Sequence, residues 1–253
     1  VTIYSAAALA ANAILISGAA QGANVTVFGS VAAKSALEQL APAYERATQN
    51  KVTLHIATVA ELKGEIDQGA AFDVAILTDA ALSDLAKSGR VIADSKVAIA
   101  KSGVGVAVAP GLPLPAIATP DQLKAALLAA KSITYTTQGS TGPTIKKVFE
   151  RLGISDAMNA KTVAISGMTA PQALVAGKAE MGFTQVSEIL DTPAAQLAGP
   201  LPSELQAATQ FSAAVSAAVS ANAADRAAAQ SFITMLTSPA AKSTLKSRGL
   251  DPN

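Results

Sequence analysis

Hydrophobic and polar positions in this chain change period in a regular way. Residues 24–29 read NVTVFG, an apolar run rich in β-branched side chains that stops at glycine, which predicts a buried strand of a parallel sheet. Residues 32–49 then place Ala33, Leu37, Leu40 and Tyr44 at helical spacing, so a helix follows, with Pro42 expected to kink it. The pair repeats as KVTLHIA (51–57) with a helix over 59–69, and as FDVAIL (72–77) with a helix over 79–89 that stops at Gly89. Successive strand–helix units of this kind predict a parallel sheet covered by helices. His55, between Leu54 and Ile56, reads as a buried, hydrogen-bonded histidine.

A second series begins with KVAIAKSGVGVAVA (96–109), a long strand softened by glycine in its middle. A Pro-rich connector leads to a helix over 120–131, with Thr119 as its cap and Pro120 in its first turn. SITYTT (132–137), KTVAIS (161–166) and EMGFTQ (180–185) predict strands, separated by helices over 143–152 and 170–179. The connector AGPLPSELQ returns to a strand over 209–219, and helices over 222–237 and 239–248 close the chain. Two series joined by two long crossovers predict an α/β protein of two lobes, each a mixed, mostly parallel sheet flanked by helices, with a ligand cleft between them. Lobe one is expected to take residues 24–102 plus 209–253 and lobe two residues 103–208, hinged near 103–105 and 205–209.

Composition narrows the chemistry. The chain has no Cys and a single His, which excludes disulfides, thiolate zinc sites, cysteine nucleophiles and multi-histidine metal sites. Lys plus Arg number 19 against 18 Asp plus Glu, with no basic run, so there is no electrostatic case for nucleic acid. The absence of Trp and an aromatic content of 4% leave little for base stacking. No phosphate-binding GKS or GKT loop, nucleophile elbow or metal-ligand spacing occurs; no cofactor and no metal are expected, and the residues give no positive sign of catalysis.

Residues 1–23 carry no charge, and an apolar stretch from Ala6 to Ile16 precedes small residues. Ala20-Gln21-Gly22 fits a signal-peptidase site, so 1–23 is read as a signal peptide and the protein as exported to the periplasm. The stretch falls short of the ~20 apolar residues a membrane span needs.

Candidate binding residues lie where strands hand over to helices, because unpaired N–H groups and the helix dipole favour anions there. Gly29, Ser30 and Val31 follow the first strand. Thr58 opens the capping box Thr58-Val59-Ala60-Glu61, whose carboxylate already occupies the positive end of the helix. Gly139-Ser140-Thr141-Gly142-Pro143-Thr144 gathers glycines and hydroxyls between strand and helix and is the strongest anion-cradling turn, with Ser140, Thr141 and Gly142 as its contacts. Gly167 precedes a second capping box, Thr169-Ala170-Pro171-Gln172, and Gln185 offers an amide at the end of the strand over 180–185. Lys101 and Ser102, at the glycine-softened crossover, offer a charge and a hydroxyl.

The segments VTVFGSVAAKSALEQLAPAYE (25–45), FDVAILTD (72–79), GVGVAVAPG (103–111), RLGI (151–154) and FITMLTSPAAKSTLKSRGLDP (232–252) together resemble the periplasmic molybdate-binding protein family of ABC importers, which has the type II periplasmic-binding-protein fold. The similarity runs over nearly the whole chain after residue 23. It implies a monomeric periplasmic solute-binding protein that closes on a small anion, either a molybdate-like oxyanion or an organic carboxylate, and docks on an inner-membrane ABC permease. It puts the first ligand serine in the 29–33 turn, where Ser30 stands close and Ala32 holds the aligned position, and the second site at 58–60. It puts backbone N–H contacts near Thr141 and Gly142 and near Gly167, and Gln185 at the family's tyrosine. The same broad family is similar to an aconitate isomerase, which implies as the alternative an isomerase acting on a tricarboxylate; Glu61 and Lys101 are then the acid–base candidates.

Overall fold

The computed structural model describes residues 22–136, 141–221 and 223–253. Most of the segment read as a signal peptide, and Ser140 with Gly139, lie outside the described residues.

Two sheets organise the chain. The first contains β1 (Asn24–Ser30), β2 (Lys51–Ala57), β3 (Val74–Thr78), β4 (Val97–Ser102), β9 (Thr209–Val215) and β10 (Asp251–Pro252), in the order β10-β4-β9-β3-β1-β2. The second contains β5 (Val104–Val108), β6 (Ile133–Tyr135), β7 (Met181–Gln185) and β8 (Gln196–Pro200), in the order β6-β7-β5-β8. The run read as one long strand breaks at Gly103 and feeds both sheets. Both sheets are mixed, but mostly antiparallel: β1–β2, β1–β3 and β6–β7 are parallel, and the remaining pairings are antiparallel. Each return crossover lands beside a strand of opposite direction, which an expectation drawn from strand–helix alternation alone does not register.

Helices α1 (Lys34–Thr48), α2 (Val59–Asp67) and α3 (Asp79–Lys87) follow β1, β2 and β3. Helices α4 (Pro120–Ala129), α5 (Thr141–Leu152), α6 (Ser155–Asn159), α7 (Ala170–Val175) and α8 (Val186–Leu190) surround the second sheet, and α9 (Ala223–Leu236) and α10 (Pro239–Ser247) return to the first. Helix α1 runs through Pro42 without a break. Pro42 lies on its exposed face, where the carbonyl deprived of a partner meets water.

In lobe one, Val25, Val27, Val74 and Ile76 pack against α1 and α9. Tyr44 joins the two helices, its ring edge-on to Phe232 at 5.1 Å and its hydroxyl donating to the Ala228 carbonyl at 2.9 Å. The opposite face buries Phe28, Ala75 and Leu77 under Leu62, Ile66, Leu82 and Leu85 of α2 and α3. In lobe two, Val104, Val106, Ile133 and Phe183 pack against Leu123 and Leu127 of α4 and Ile145 and Phe149 of α5.

Several local expectations change. KTVAIS (161–166) is not a strand; it makes one isolated bridge, Ile133 with Thr162. Lys161 instead points its ammonium at the end of α4 and donates to the carbonyls of Leu127, Leu128 and Ala130 at 2.7, 3.0 and 2.7 Å. β8 and β10 are strands at sheet edges that the sequence pattern does not announce. His55 is hydrogen-bonded but not buried: β2 is an edge strand, and the imidazole lies exposed on the face that α2 covers, 2.7 Å from Glu65 and 4.7 Å from the Phe28 ring.

Candidate functional site

Strands β1, β2 and β3 run parallel, so their carboxyl ends open on one edge of the first sheet, and each hands over to a helix start. Ser30 ends β1. It is buried, and its hydroxyl accepts a long 3.4 Å hydrogen bond from the Ala32 N–H of the short 3-10 turn Val31–Ala33. Val31 beside it is half-buried. Gly29 has a packing reason of its own: a Cβ there would stand 2.7 Å from Leu37 Cδ1 and 2.8 Å from Ile56 Cδ1.

Thr58, one residue beyond β2, is exposed and fully engaged. Its hydroxyl accepts from the Glu61 N–H at 3.3 Å and donates to Glu61 Oε2 at 2.8 Å, while its own N–H donates to the same oxygen at 3.0 Å. These bonds from the Thr58 side chain and backbone hold the Glu61 carboxyl below the ordinary carboxylate range.

A further polar cluster stands at the end of β3, and sequence reading did not single it out. Asp79 Oδ1 accepts from Ser212 Oγ at 2.8 Å and lies 3.0 Å from Lys96 Nζ, which also donates to Ser83 at 2.9 Å. The hydrogen bond from Ser212, then those from Lys96, keep Asp79 ionised below its usual range. Only the Thr-Asp pair at a strand end hinted at it; its partner Ser212 lies 133 residues away.

On the second sheet, β6 and β7 run parallel toward the crossovers. Thr141 and Gly142 open α5 and are both buried. Gly167 is exposed at φ 68° and leads into α7, where Thr169 and Gln172 form the second capping box. Gln185 ends β7, is buried, and donates from Nε2 to Thr209 Oγ1 of lobe one at 3.3 Å. Ser102 is buried on the other side of the crossover, 3.5 Å from Ser187 Oγ in α8 and 3.4 Å from the Gly249 carbonyl. Ser102 and Gln185 thus meet the opposite lobe at the crossovers. Lys101 stands apart: it is exposed on β4, three strand spacings or about 14 Å across the sheet from β1.

One half-buried carboxyl escaped sequence reading. Glu188, in the first turn of α8, has its carboxyl pushed up by burial; the hydrogen bond donated by Thr184 works against this, and the nearby Asp191 adds to it. Two surface hollows lie elsewhere, one bordered by Pro110, Leu112 and Gln196 and the other by Lys124, Ile154 and Asp156, and neither includes an assigned contact. Among the described residues, no three His, Asp or Glu side chains gather as metal ligands, and no helix is long and apolar enough to cross a membrane.

The family described as "Bacterial extracellular solute-binding protein" matches residues 25–251. An aconitate isomerase from Pseudomonas sp is 28% identical over 90% of this chain and 87% of its own length. The periplasmic molybdate-binding protein of Azotobacter vinelandii superposes with a TM-score of 0.74 at 21% identity, over 89% of this chain and 98% of that one. A sulfate-binding protein from Mycobacterium tuberculosis H37Rv gives 0.71 at 17% identity, over 91% of this chain and 87% of that one. At these identities the two structures establish the shared two-lobed fold.

Proposed function

This chain belongs to the bacterial extracellular solute-binding proteins, and from that premise we propose that it is a periplasmic, monomeric receptor that closes two lobes on a small anion and delivers it to an inner-membrane ABC permease. The lobes are residues 24–102 with 209–253, and residues 103–208. The observation that carries the reading is the set of helix starts that follow β1 at Ser30 and β6 at Thr141 and Gly142, together with the start of α7 after the turn at Gly167. Backbone N–H groups there supply donors to an anion without a counter-charge. Structural neighbours named for molybdate and sulfate bind small oxyanions and support the ligand class. Closure brings the donors of the two lobes around one ion and removes water from it, and each charge-assisted hydrogen bond contributes about 1.5–3 kcal/mol.

A second reading is supported by the aconitate isomerase relative: the bound anion is a tricarboxylate, and a proton is moved on it. Glu61 suits that role poorly, because its carboxylate is committed to the Thr58 cap.

A thermal-shift screen of molybdate, tungstate and sulfate against di- and tricarboxylates separates the ligand classes, since a ligand at 1,000 times its dissociation constant stabilises by about 4 kcal/mol. NMR of the stabilising compound then follows its fate. Binding with no change in the compound supports transport; conversion supports the isomerase. The absence of stabilisation by any anion would overturn both.

A further inference from the structure

The second crossover, residues 201–208, overlaps the stretch 198–206 that reads in sequence as one connector, but its side chains divide it unequally. Leu201 and Leu205 are buried in the core of lobe two. The Leu201 N–H donates to the Val104 carbonyl at 3.0 Å, and Arg151 Nη1 donates to the Glu204 carbonyl at 2.5 Å. Gln206 completes the attachment. Its Oε1 accepts from the Val104 N–H at 2.8 Å, and its Nε2 donates to the Val104 carbonyl at 2.9 Å. The side-chain amide therefore pairs with the first residue of β5 as a neighbouring strand would. Gly103 leaves the room for it: a Cβ there would stand 2.8 Å from Gln206 Nε2 and 3.0 Å from Cδ. Past this point Ala207 and Ala208 are exposed, and β9 begins at Thr209.

We propose that Gln206 is a clamp that fastens the second crossover to lobe two and confines interlobe bending to two short pivots, the Ser102–Gly103 link and Ala207–Ala208. This rests on the lobe-closure reading above and narrows its hinge. Gly103 is held from the lobe-two side as well, its carbonyl accepting from the Val186 N–H at 2.9 Å. Two pivots of one or two residues define a single axis, whereas a free connector of eight residues would let the lobes sample many orientations. The contacts nearest that axis, Gln185 with Thr209 and Ser102 with Ser187, are those that a change of interlobe angle stretches or relaxes.

Because the chain has no Cys, spin labels placed by Lys87→Cys on α3 and Lys147→Cys on α5, both exposed positions, report the interlobe distance without background. Pulsed EPR of the ligand-free protein should give one narrow distribution. Gln206→Leu keeps the bulk and loses both bonds to Val104; two hydrogen bonds of ordinary strength shift the clamped-to-free equilibrium roughly tenfold, so the distribution should broaden. Gly103→Ala pushes the amide off Val104 and should broaden it equally, and the double variant should be no broader than either single one. Gly103→Ala retains Gln206 and keeps the test open if Gln206→Leu does not fold. A Gln206→Leu or Gly103→Ala distribution that superimposes on the parent, or two effects that add, overturns the clamp. No anion is present, so failure of the ligand reading would leave these distributions as they are.

Discussion

Helices α2 and α8 each begin at the end of a strand, one in each lobe, and each carries a glutamate in its first turn. Glu61 of α2 is exposed, bonded to Thr58 through side chain and backbone, and held ionised below its ordinary range. Glu188 of α8 is half-buried and takes its hydrogen bond from Thr184, and burial pushes its carboxyl above that range. The same residue type at the same kind of place is shifted in opposite directions, down by the Thr58 hydrogen bonds in one case and up by burial in the other. For an anion receptor the consequence is asymmetric: the start of α2 already carries a negative charge, so the donors left to a solute in lobe one centre on the 3-10 turn after Ser30. The lobe-two turn opening at Thr141 has no such resident carboxylate among its described residues.

The largest effect expected from this asymmetry is on binding. Ser30→Ala and Thr141→Val should each weaken the anion identified by the screen roughly tenfold to a hundredfold, the loss of one charge-assisted hydrogen bond, with equilibrium dialysis as the check. Thr58→Val should leave affinity nearly unchanged and cost about 1 kcal/mol of stability through the lost cap, read from urea unfolding. If affinity collapses as well, Thr58 is a contact and not a cap.

The two glutamates should also give opposite pH slopes. The Glu188 carboxyl has a folded-state value raised above the ordinary 4.5, so its contribution to stability is fully present below that value and is lost as pH rises through the folded-state value. Glu188→Gln should flatten that falling limb in urea melts taken across it. Glu61, with its folded value lowered from 4.5, contributes stability that is present above 4.5 and lost as pH falls through the folded value, so Glu61→Gln should flatten a limb on the acid side. The smallest effect is electrostatic: Glu61→Gln should improve anion affinity by roughly twofold, the scale of an exposed charge interaction.

Helix starts were legible in the sequence because caps are local. Thr58, Thr119, Thr169 and Ser238 each accept from an N–H three residues on, and the Thr-x-x-Glu/Gln or Thr/Ser-Pro pattern announces them. Pairing partners were not legible. The antiparallel placement of β9 between β3 and β4 and the edge strand β8 depend on residues far apart in the chain. The exposure of His55 follows from the edge position of β2, which the apolar neighbours Leu54 and Ile56 concealed. The Asp79–Ser212 bond and the Gln206 clamp span 133 and 102 residues, and a single sequence holds no local mark of either pairing beyond the Thr-Asp pair at the end of β3.

Titration calorimetry with the anion the screen identifies, on the parent protein, Ser30→Ala, Thr141→Val and Thr58→Val, tests the central claim most directly. The account predicts one site per chain, tenfold or greater losses for Ser30→Ala and Thr141→Val, and near-parent affinity for Thr58→Val. Abolished binding in Thr58→Val with parent-like binding in the other two would contradict it.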